Sequence, residues 1–239
     1  MRYGLVLSNI GSFSRPANVL TVAEAAETAG WEALFLWDHL AWVWDGPALD
    51  PWTALAAVAV RTERLMLGSC VTPVPRRRPQ VLATQVATLD DLSGGRAILG
   101  AGLGGNRREF EEFGETFDTE QRWRLLDDGL AQIRELWAGP LGPREIPIWI
   151  GGNSPRARRL ASAYDGWLPD STSLEEMTMK PDDVRDAAQK DIAVMGYSTP
   201  GDRALHEAYS AAGTTWWLEH VHDRRGGFDE LLARVAAGA

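Results

Sequence analysis

The chain has 239 residues, 45% of them apolar, and a formal net charge of −9. This apolar content predicts one large globular core and argues against disorder. The acidic balance argues against a nucleic-acid partner, which a basic surface would serve. Cys70 is the only cysteine, so no disulfide forms within the chain and a cytoplasmic setting is expected. The first apolar run ends at Ser8, too early for a signal peptide or a membrane span, so no membrane partner is expected.

Short apolar segments alternate along the chain with alanine-rich, charge-patterned segments. The apolar segments predict eight strands, in chain order Tyr3–Ser8, Ala33–Trp37, Leu65–Gly68, Ala97–Gly100, Ile146–Ile150, Gly166–Leu168, Ile192–Tyr197 and Thr214–His220. The intervening and final segments predict the helices Ala17–Ala29, Pro51–Arg61, Pro79–Leu92, Gln121–Trp137, Pro155–Ala163, Pro181–Gln189, Asp202–Ala212 and Phe228–Ala236.

This alternation predicts the α/β class, with a parallel sheet covered by helices. Eight strand–helix units close a (β/α)8 TIM barrel, whereas five or six would give an open, doubly wound sheet. The count favours the barrel. Because no linker rich in proline, serine or charge interrupts the sequence, residues 1–239 are predicted to form a single domain.

The turn after the predicted fifth strand is a candidate anion site. Gly151 and Gly152 allow a ligand to approach the backbone, and Asn153 or Ser154 can cap the helix that follows. Arg156 adds a positive charge nearby. The residues alone leave two readings equally open: a phosphate pocket, or an ordinary glycine-rich turn with a good helix cap.

Asp38 and His39 follow the predicted second strand, at the end of the barrel where ligands bind. A histidine there can hydrogen-bond a ligand or shuttle a proton. Trp42 and Trp44 come shortly after it and can wall an aromatic ligand. The alternative is that these tryptophans pack under a loop or at a subunit contact.

The loop after the predicted fourth strand is rich in glycine, and its Gly104 and Asn106 are candidate coenzyme contacts. The glycine spacing is not that of a dinucleotide fingerprint. Glu109 lies just downstream and is either a proton donor or an acid at a helix N-terminus. His220 and His222 would share one face of a strand, but the sequence offers no strong third ligand, so no metal site is predicted.

A series of motifs resembles the bacterial luciferase-like monooxygenase superfamily, which includes the deazaflavin-dependent dehydrogenases. The similarity covers most of the chain and rests on the order and spacing of its segments. These are Gly30-Trp31, Leu36-Trp37-Asp38-His39-Leu40, Asp50-Pro51-Trp52-Thr53, Thr62-Glu63-Arg64-Leu65-Met66-Leu67-Gly68, Thr72-Pro73, Leu89-Asp90, Ser93-Gly94-Gly95-Arg96, Gly100-Ala101-Gly102, Pro147-Ile148-Trp149-Ile150-Gly151-Gly152 and Asp165-Gly166-Trp167.

The resemblance implies that a flavin or deazaflavin ring lies at the mouth of the barrel. It implies a non-prolyl cis peptide at Cys70-Val71, in a bulge that supports one face of the ring. Asp38 and Thr72 match positions that contact the ring system. The turn 151–154 matches the phosphate-holding turn of the family, which favours the phosphate reading.

The resemblance also assigns catalytic candidates. His39 matches the active-site histidine of both branches. Glu109 matches the acid that protonates or stabilises the substrate in deazaflavin-dependent sugar-phosphate dehydrogenases. The expected tryptophan falls near Trp42 and Trp44 without a clean match in spacing. The insertions that often cover the substrate in relatives are shortened here, which implies an open mouth, a partner subunit acting as a lid, or a bulky substrate.

The leading interpretation is a coenzyme F420 (deazaflavin)-dependent oxidoreductase that moves a hydride to or from a small organic substrate. The alternative is an FMN-dependent monooxygenase that uses reduced flavin and oxygen. A metal-dependent barrel hydrolase and a non-catalytic flavin-binding protein are rival classes. Family habit and the high tryptophan content predict a homodimer.

Overall fold

A computed structural model describes residues 1–40, 46–173, 175–185, 187 and 189–239. Its strands are β1 (Arg2–Leu7), β2 (Ala33–Leu36), β3 (Met66–Ser69), β4 (Thr72–Pro73), β5 (Ala97–Gly102), β6 (Ile148–Gly151), β7 (Gly166–Leu168), β8 (Asp191–Gly196) and β9 (Trp216–Val221). Its helices are α1 (Pro16–Thr28), α2 (Pro51–Ala59), α3 (Pro79–Ser93), α4 (Arg108–Glu111), α5 (Thr119–Ala138), α6 (Pro155–Ala161), α7 (Pro181–Val184), α8 (Arg203–Ala211) and α9 (Phe228–Ala236).

The strands form one closed parallel barrel. Their order is β3-β2-β1-β9-β8-β7-β6-β5-β4, and an additional pairing of β3 with β5 closes the ring. The two-residue strand β4 continues the path of β3 and pairs with the end of β5. The predicted (β/α)8 barrel is therefore confirmed, with its eight main strands within two residues of their predicted bounds.

Two predictions about helices need correction. The predicted helix Pro181–Gln189 ends at Val184, because the backbone of Arg185 turns to an extended conformation with ψ of 141°. The short helix α4 was not predicted, since its four residues are too few to show a helical apolar period.

Apolar side chains fill both surfaces of the sheet, as expected for buried parallel strands. Inside the barrel, Phe35 stacks on Trp149 with ring centroids 5.5 Å apart, and Trp149 meets Trp216 edge-on at 5.7 Å. A second layer lies between the strands and the helices and includes Leu34 and Val86. The interior aromatic rings fill the lower barrel, and a cavity opens toward the carboxyl ends of the strands.

The connection between α5 and β6 is short, as the sequence predicts from its shortened insertion. Helix α5 ends at Ala138 and β6 begins at Ile148, so residues 139–147 alone join them. The barrel is thus a compact variant of its fold. Among the residues described, no helix combines the length and apolar character needed to cross a bilayer.

Gly100 lies very close to a neighbouring strand of the barrel wall, and this contact predicts how a substitution there changes stability. A Cβ on Gly100 would lie 1.8 Å from the carbonyl oxygen of Ser69, whereas a Cβ on Gly105 would meet nothing within 4 Å. We expect Gly100→Ala to lower the free energy of unfolding by about 1–3 kcal/mol, the usual cost of overpacking. The matched Gly105→Ala should stay within about 0.5 kcal/mol of the parent. Urea unfolding of both variants measures this, and equal stabilities would contradict the packing.

Candidate active site

A cavity of ≈ 480 Å³ opens at the carboxyl ends of the barrel strands. It is lined by residues at or just after the carboxyl ends of β2, β3, β5, β6, β7, β8 and β9. The lining includes Trp37, Asp38, His39, Cys70, Val71, Gly102, Gly104, Glu109, Gly151, Gly152, Leu168, Asp170, Met195 and His220. The mouth of the barrel is therefore open to a ligand, and most of the candidate residues from the sequence meet there.

His39 and Glu109 form a hydrogen-bonded pair in this cavity. The Nδ1 atom of His39 lies 3.1 Å from Oε1 of Glu109, and the backbone N–H of Leu40 donates to the same oxygen at 2.6 Å. The Glu109 side chain is fully buried, whereas that of His39 is 32% exposed. The acid is thus a fixed interior group, and the histidine is the member of the pair that a ligand can reach.

Arg76 holds the other oxygen of Glu109. Its Nη1 atom lies 2.9 Å from Oε2 of Glu109, and Nη2 donates to the backbone carbonyl of Asp38. The Nη1–Oε2 contact is an ion pair without hydrogen-bond alignment, so neither atom has a hydrogen-bond partner among the described residues. Arg77 adds a two-pronged contact to the Asp38 carboxylate, at 2.9 and 2.6 Å.

Neither arginine was a candidate in the sequence. Residues 76–78 are three consecutive arginines after Pro73, and such a run usually reads as a solvated surface. The one sequence feature that points to a role in the site is their position, because they follow a barrel strand at the end where ligands bind. The Arg76 side chain is only 6% exposed, which shows that this charge belongs to the interior of the site.

The surroundings of Glu109 keep it ionised. Burial raises its pKa, but the hydrogen bond and charge of His39, the N–H of Leu40 and the charge of Arg76 outweigh burial and leave the pKa below its ordinary value. A carboxylate only accepts hydrogen bonds. The Nδ1 atom of His39 therefore carries the shared proton, and Nε2 is the ring atom left to exchange a proton with a ligand.

The bulge after β3 forms one wall of the cavity. The peptide between Cys70 and Val71 is cis, as the family resemblance predicts. A Cβ on Gly102 would lie 2.5 Å from the Val71 side chain, and one on Gly151 would lie 2.8 Å from it. Val71 thus fits between two glycines. Burial, and then the charge of Asp170, raise the pKa of the Cys70 thiol to about 12, so it is not a thiolate nucleophile.

The turn 151–154 meets the cavity through its glycines. Gly152 has a φ of +112° and donates its N–H to Leu168. The Asn153 side chain exchanges two hydrogen bonds with the backbone of Asp170, at 2.7 and 2.9 Å. Ser154 accepts a hydrogen bond from Ala157 and caps α6. Asn153 and Ser154 therefore shape the turn, while Gly151 and Gly152 line the cavity.

Besides Asn153 and Ser154, three further candidate coenzyme contacts lie outside the cavity lining. The Thr72 hydroxyl is buried and accepts a hydrogen bond from the Trp52 indole at 3.1 Å. Asn106 accepts from the backbone N–H at the start of α4. Arg156 pairs with Glu120 and Asp127 on α5, at 3.0 and 3.1 Å. Trp42 and Trp44 lie outside the described residues.

A second polar cluster lies beside the first. The Tyr197 hydroxyl is 2.9 Å from Nδ1 of His220 and 3.0 Å from Nε2 of His222. The Trp37 ring packs between this cluster and His39, with centroids 5.3 Å from His39 and 4.9 Å from His220. The sequence indicated the two histidines but not Tyr197, which follows the neighbouring strand β8 directly.

One ring nitrogen of each histidine contacts the Tyr197 hydroxyl, and the described residues place no set of metal ligands around the two rings. Within the described part of the chain, no group of three or more histidine, cysteine or acidic side chains converges in a way that would hold a metal ion. Asp38 pairs with Arg77, and both clustered histidines contact Tyr197.

These features define a (β/α)8 barrel with a buried acid–histidine pair in a cavity at its carboxyl end. The luciferase-like monooxygenase family model matches residues 3–200, and the chain belongs to that family.

Curated relatives agree with this assignment. The chain is 34% identical over 204 residues to an F420-dependent glucose-6-phosphate dehydrogenase of Nakamurella multipartita. The aligned region covers 73% of this chain and 59% of the relative. It is 30% identical over 199 residues to an F420-dependent hydroxymycolic acid dehydrogenase of Mycobacterium tuberculosis, covering 72% and 54%. The chain thus spans little more than half the length of these curated relatives.

Solved structures share the fold at low identity. An F420-dependent secondary alcohol dehydrogenase in complex with an F420-acetone adduct superposes with a TM-score of 0.77 at 17% identity, covering 100% of this chain and 99% of the other. The monooxygenase RslO1 from Streptomyces bottropensis also gives 0.77, at 20% identity, covering 98% and 96%.

The buried histidines predict a loss of stability in mild acid. Burial is the first cause that lowers the pKa of His220 to about 2 and that of His222 to about 4. Below about pH 6.5 the unfolded chain protonates both while the fold keeps them neutral, so stability falls as the pH drops toward 4. Each histidine contributes at most about 1.4 kcal/mol per pH unit.

We expect His222→Asn to make this slope shallower. Urea unfolding at several values between about pH 4.5 and 6.5 gives the slope for parent and variant. Parallel curves for the two proteins would contradict the assignment.

Proposed function

We propose that this protein is a coenzyme F420-dependent oxidoreductase that transfers a hydride to or from a small organic substrate. The observation that carries the proposal is the reachable His39 hydrogen-bonded to the buried Glu109 at a cavity mouth. The curated relatives named F420-dependent dehydrogenases support the coenzyme. The lack of a convergent metal-ligand set within the described residues favours this class over a barrel hydrolase.

The cavity fits a tricyclic coenzyme. Its volume of ≈ 480 Å³ lies within the range of about 300–1,000 Å³ typical of cofactor and substrate sites. Glycines at 102, 104, 151 and 152 keep one side free of side chains, beside the bulge at Cys70 and Val71. Oε2 of Glu109, which is buried and accepts no hydrogen bond from the described residues, gives that end of the cavity a polar atom.

The residues expected to hold the coenzyme surround this space. Asp38, Cys70, Val71 and Gly104 would face its ring, and the turn 151–154 would hold its phosphate. When bound, the deazaflavin supplies the carbon that accepts or donates a hydride.

The protein handles the accompanying proton. Oxidation of an alcohol releases a hydride from carbon and a proton from oxygen, and Nε2 of His39 is the atom placed to accept that proton. Glu109 accepts the Nδ1–H of His39, which orients the ring and fixes its tautomer. Arg76 and the Leu40 N–H keep Glu109 ionised. We therefore assign proton transfer to His39, with Glu109 as its partner.

Two further proposals accompany this function. Family habit, together with exposed apolar side chains at Val60 on the end of α2 and at Val81 and Leu92 on α3, supports a homodimer, which light scattering at micromolar concentration tests. A cytoplasmic location is consistent with the single free cysteine, Cys70. Localisation of a tagged full-length chain tests it.

Coenzyme binding tests the proposal directly. We expect F420 to bind at least roughly tenfold more tightly than FMN, a difference of about 1.4 kcal/mol. Fluorescence titration of the two coenzymes measures both affinities. Tighter binding of FMN, together with oxygen consumption by the reduced FMN complex, would identify a monooxygenase and overturn the proposal.

His39 should be required for turnover but not for coenzyme binding. We expect His39→Asn to lower kcat by about 10²–10⁴-fold, the range for loss of a general acid–base group. The affinity for F420 should change little, because the substitution leaves the bulge and the glycine wall intact. Steady-state kinetics and titration measure the two quantities separately. An unchanged kcat with the substrate saturating would rule His39 out as the proton-transfer residue.

A further inference from the structure

The cluster of Tyr197, His220 and His222 has no part in the proton transfer assigned to His39. It is well buried, since His220 and His222 are each 3% exposed. His220 nevertheless lines the same cavity as His39. Along β9, Trp216, Leu218 and His220 follow one another at intervals of two residues, so they share one face of the strand. Trp216 and Leu218 pack inside the barrel, and His220 therefore lies on the interior face.

The hydrogen bonds of Tyr197 fix where its proton lies. The hydroxyl is 2.6 Å from the carbonyl oxygen of Ser173, which can only accept, so Tyr197 donates its single proton there. At its contacts with Nδ1 of His220 and Nε2 of His222, the tyrosine oxygen must therefore accept. Both of these ring nitrogens carry a proton.

This arrangement leaves a bare acceptor on His220. Burial, the neighbouring His222 and Arg225 depress the pKa of His220, so the ring is neutral near pH 7 and has one proton, on Nδ1. Its Nε2 is then a lone-pair acceptor. That atom is buried and has no hydrogen-bond partner among the described residues. A buried acceptor without a donor is costly, which favours a ligand group that donates to it.

We propose that Nε2 of His220 accepts a hydrogen bond from a second hydroxyl group of the substrate, not the one whose proton His39 accepts, and that Tyr197 is the positioning residue that fixes the tautomer. The proposal rests on the proposed function only in taking this cavity as the substrate site. Because Nε2 cannot donate, a carbonyl oxygen gains nothing at this position. The site therefore prefers a substrate with a hydroxyl group away from the carbon that reacts over one without it.

The tautomer and its ligand can be tested without coenzyme. The chain has four histidines, and long-range proton–nitrogen NMR of the ¹⁵N-histidine-labelled protein, with His220→Asn for assignment, reports each ring. We expect unprotonated Nε2 on His220. 1,4-Cyclohexanediol should shift that resonance, and cyclohexanone, which has the same skeleton but no donor, should not. A proton on Nε2, or an equal response to both compounds, would overturn the proposal.

Tyr197→Phe tests the positioning role. We expect the His220 tautomer to be lost and, in the F420-loaded enzyme, KM for 1,4-cyclohexanediol to rise roughly tenfold, while KM for cyclohexanol, whose one hydroxyl reacts at His39, stays the same. Tyr164→Phe is the matched control, because Tyr164 precedes β7 at the opposite end of the barrel, and it should change neither. A retained tautomer, or equal KM changes for both compounds, would contradict the role. Failure of F420 turnover would count against the proposed function alone, since the NMR measurement needs no coenzyme.

Discussion

The ion pair between Glu109 and Arg76 is the interaction on which the site depends. A fully buried carboxylate is unfavourable unless charge and hydrogen bonds compensate it, and here Arg76, the Leu40 N–H and His39 supply both. The same contacts join three segments of the chain: the loop after β2, the arginine run after β4 and the short helix α4. The orientation of the His39 ring and its tautomer follow from that one carboxylate.

The predictable part of the structure is the part governed by local pattern. Each barrel strand is a short apolar run with turn residues beside it, so a single sequence marks all eight within two residues. His39 and Glu109 were identified by their positions after strands together with the family resemblance. Their mutual contact, which spans 70 positions of the chain, emerges only from closure of the barrel.

The missed residues share a physical cause. Arg76 belongs to a run of arginines, and its burial depends on a carboxylate that arrives from another segment. Tyr197 contacts His220 and His222 across neighbouring strands, and sequence separation conceals such pairs. The helix predicted to reach Gln189 ends early because the backbone at Arg185 turns, an event without a clear sequence signal. Sequence patterns indicate the average environment of a residue type, whereas the roles of Arg76 and Tyr197 depend on contacts that form only in the folded chain.

Trp37 touches both polar clusters. Its indole meets the His39 ring edge-on at 81° and the His220 ring at 49°, and it also lines a neighbouring cavity of ≈ 250 Å³ with Ile10 and His222. A closely packed interior transmits displacement instead of absorbing it. The Trp37 indole therefore separates the two polar clusters and contacts both. A substitution at position 37 would shift the rings of His39 and His220 together.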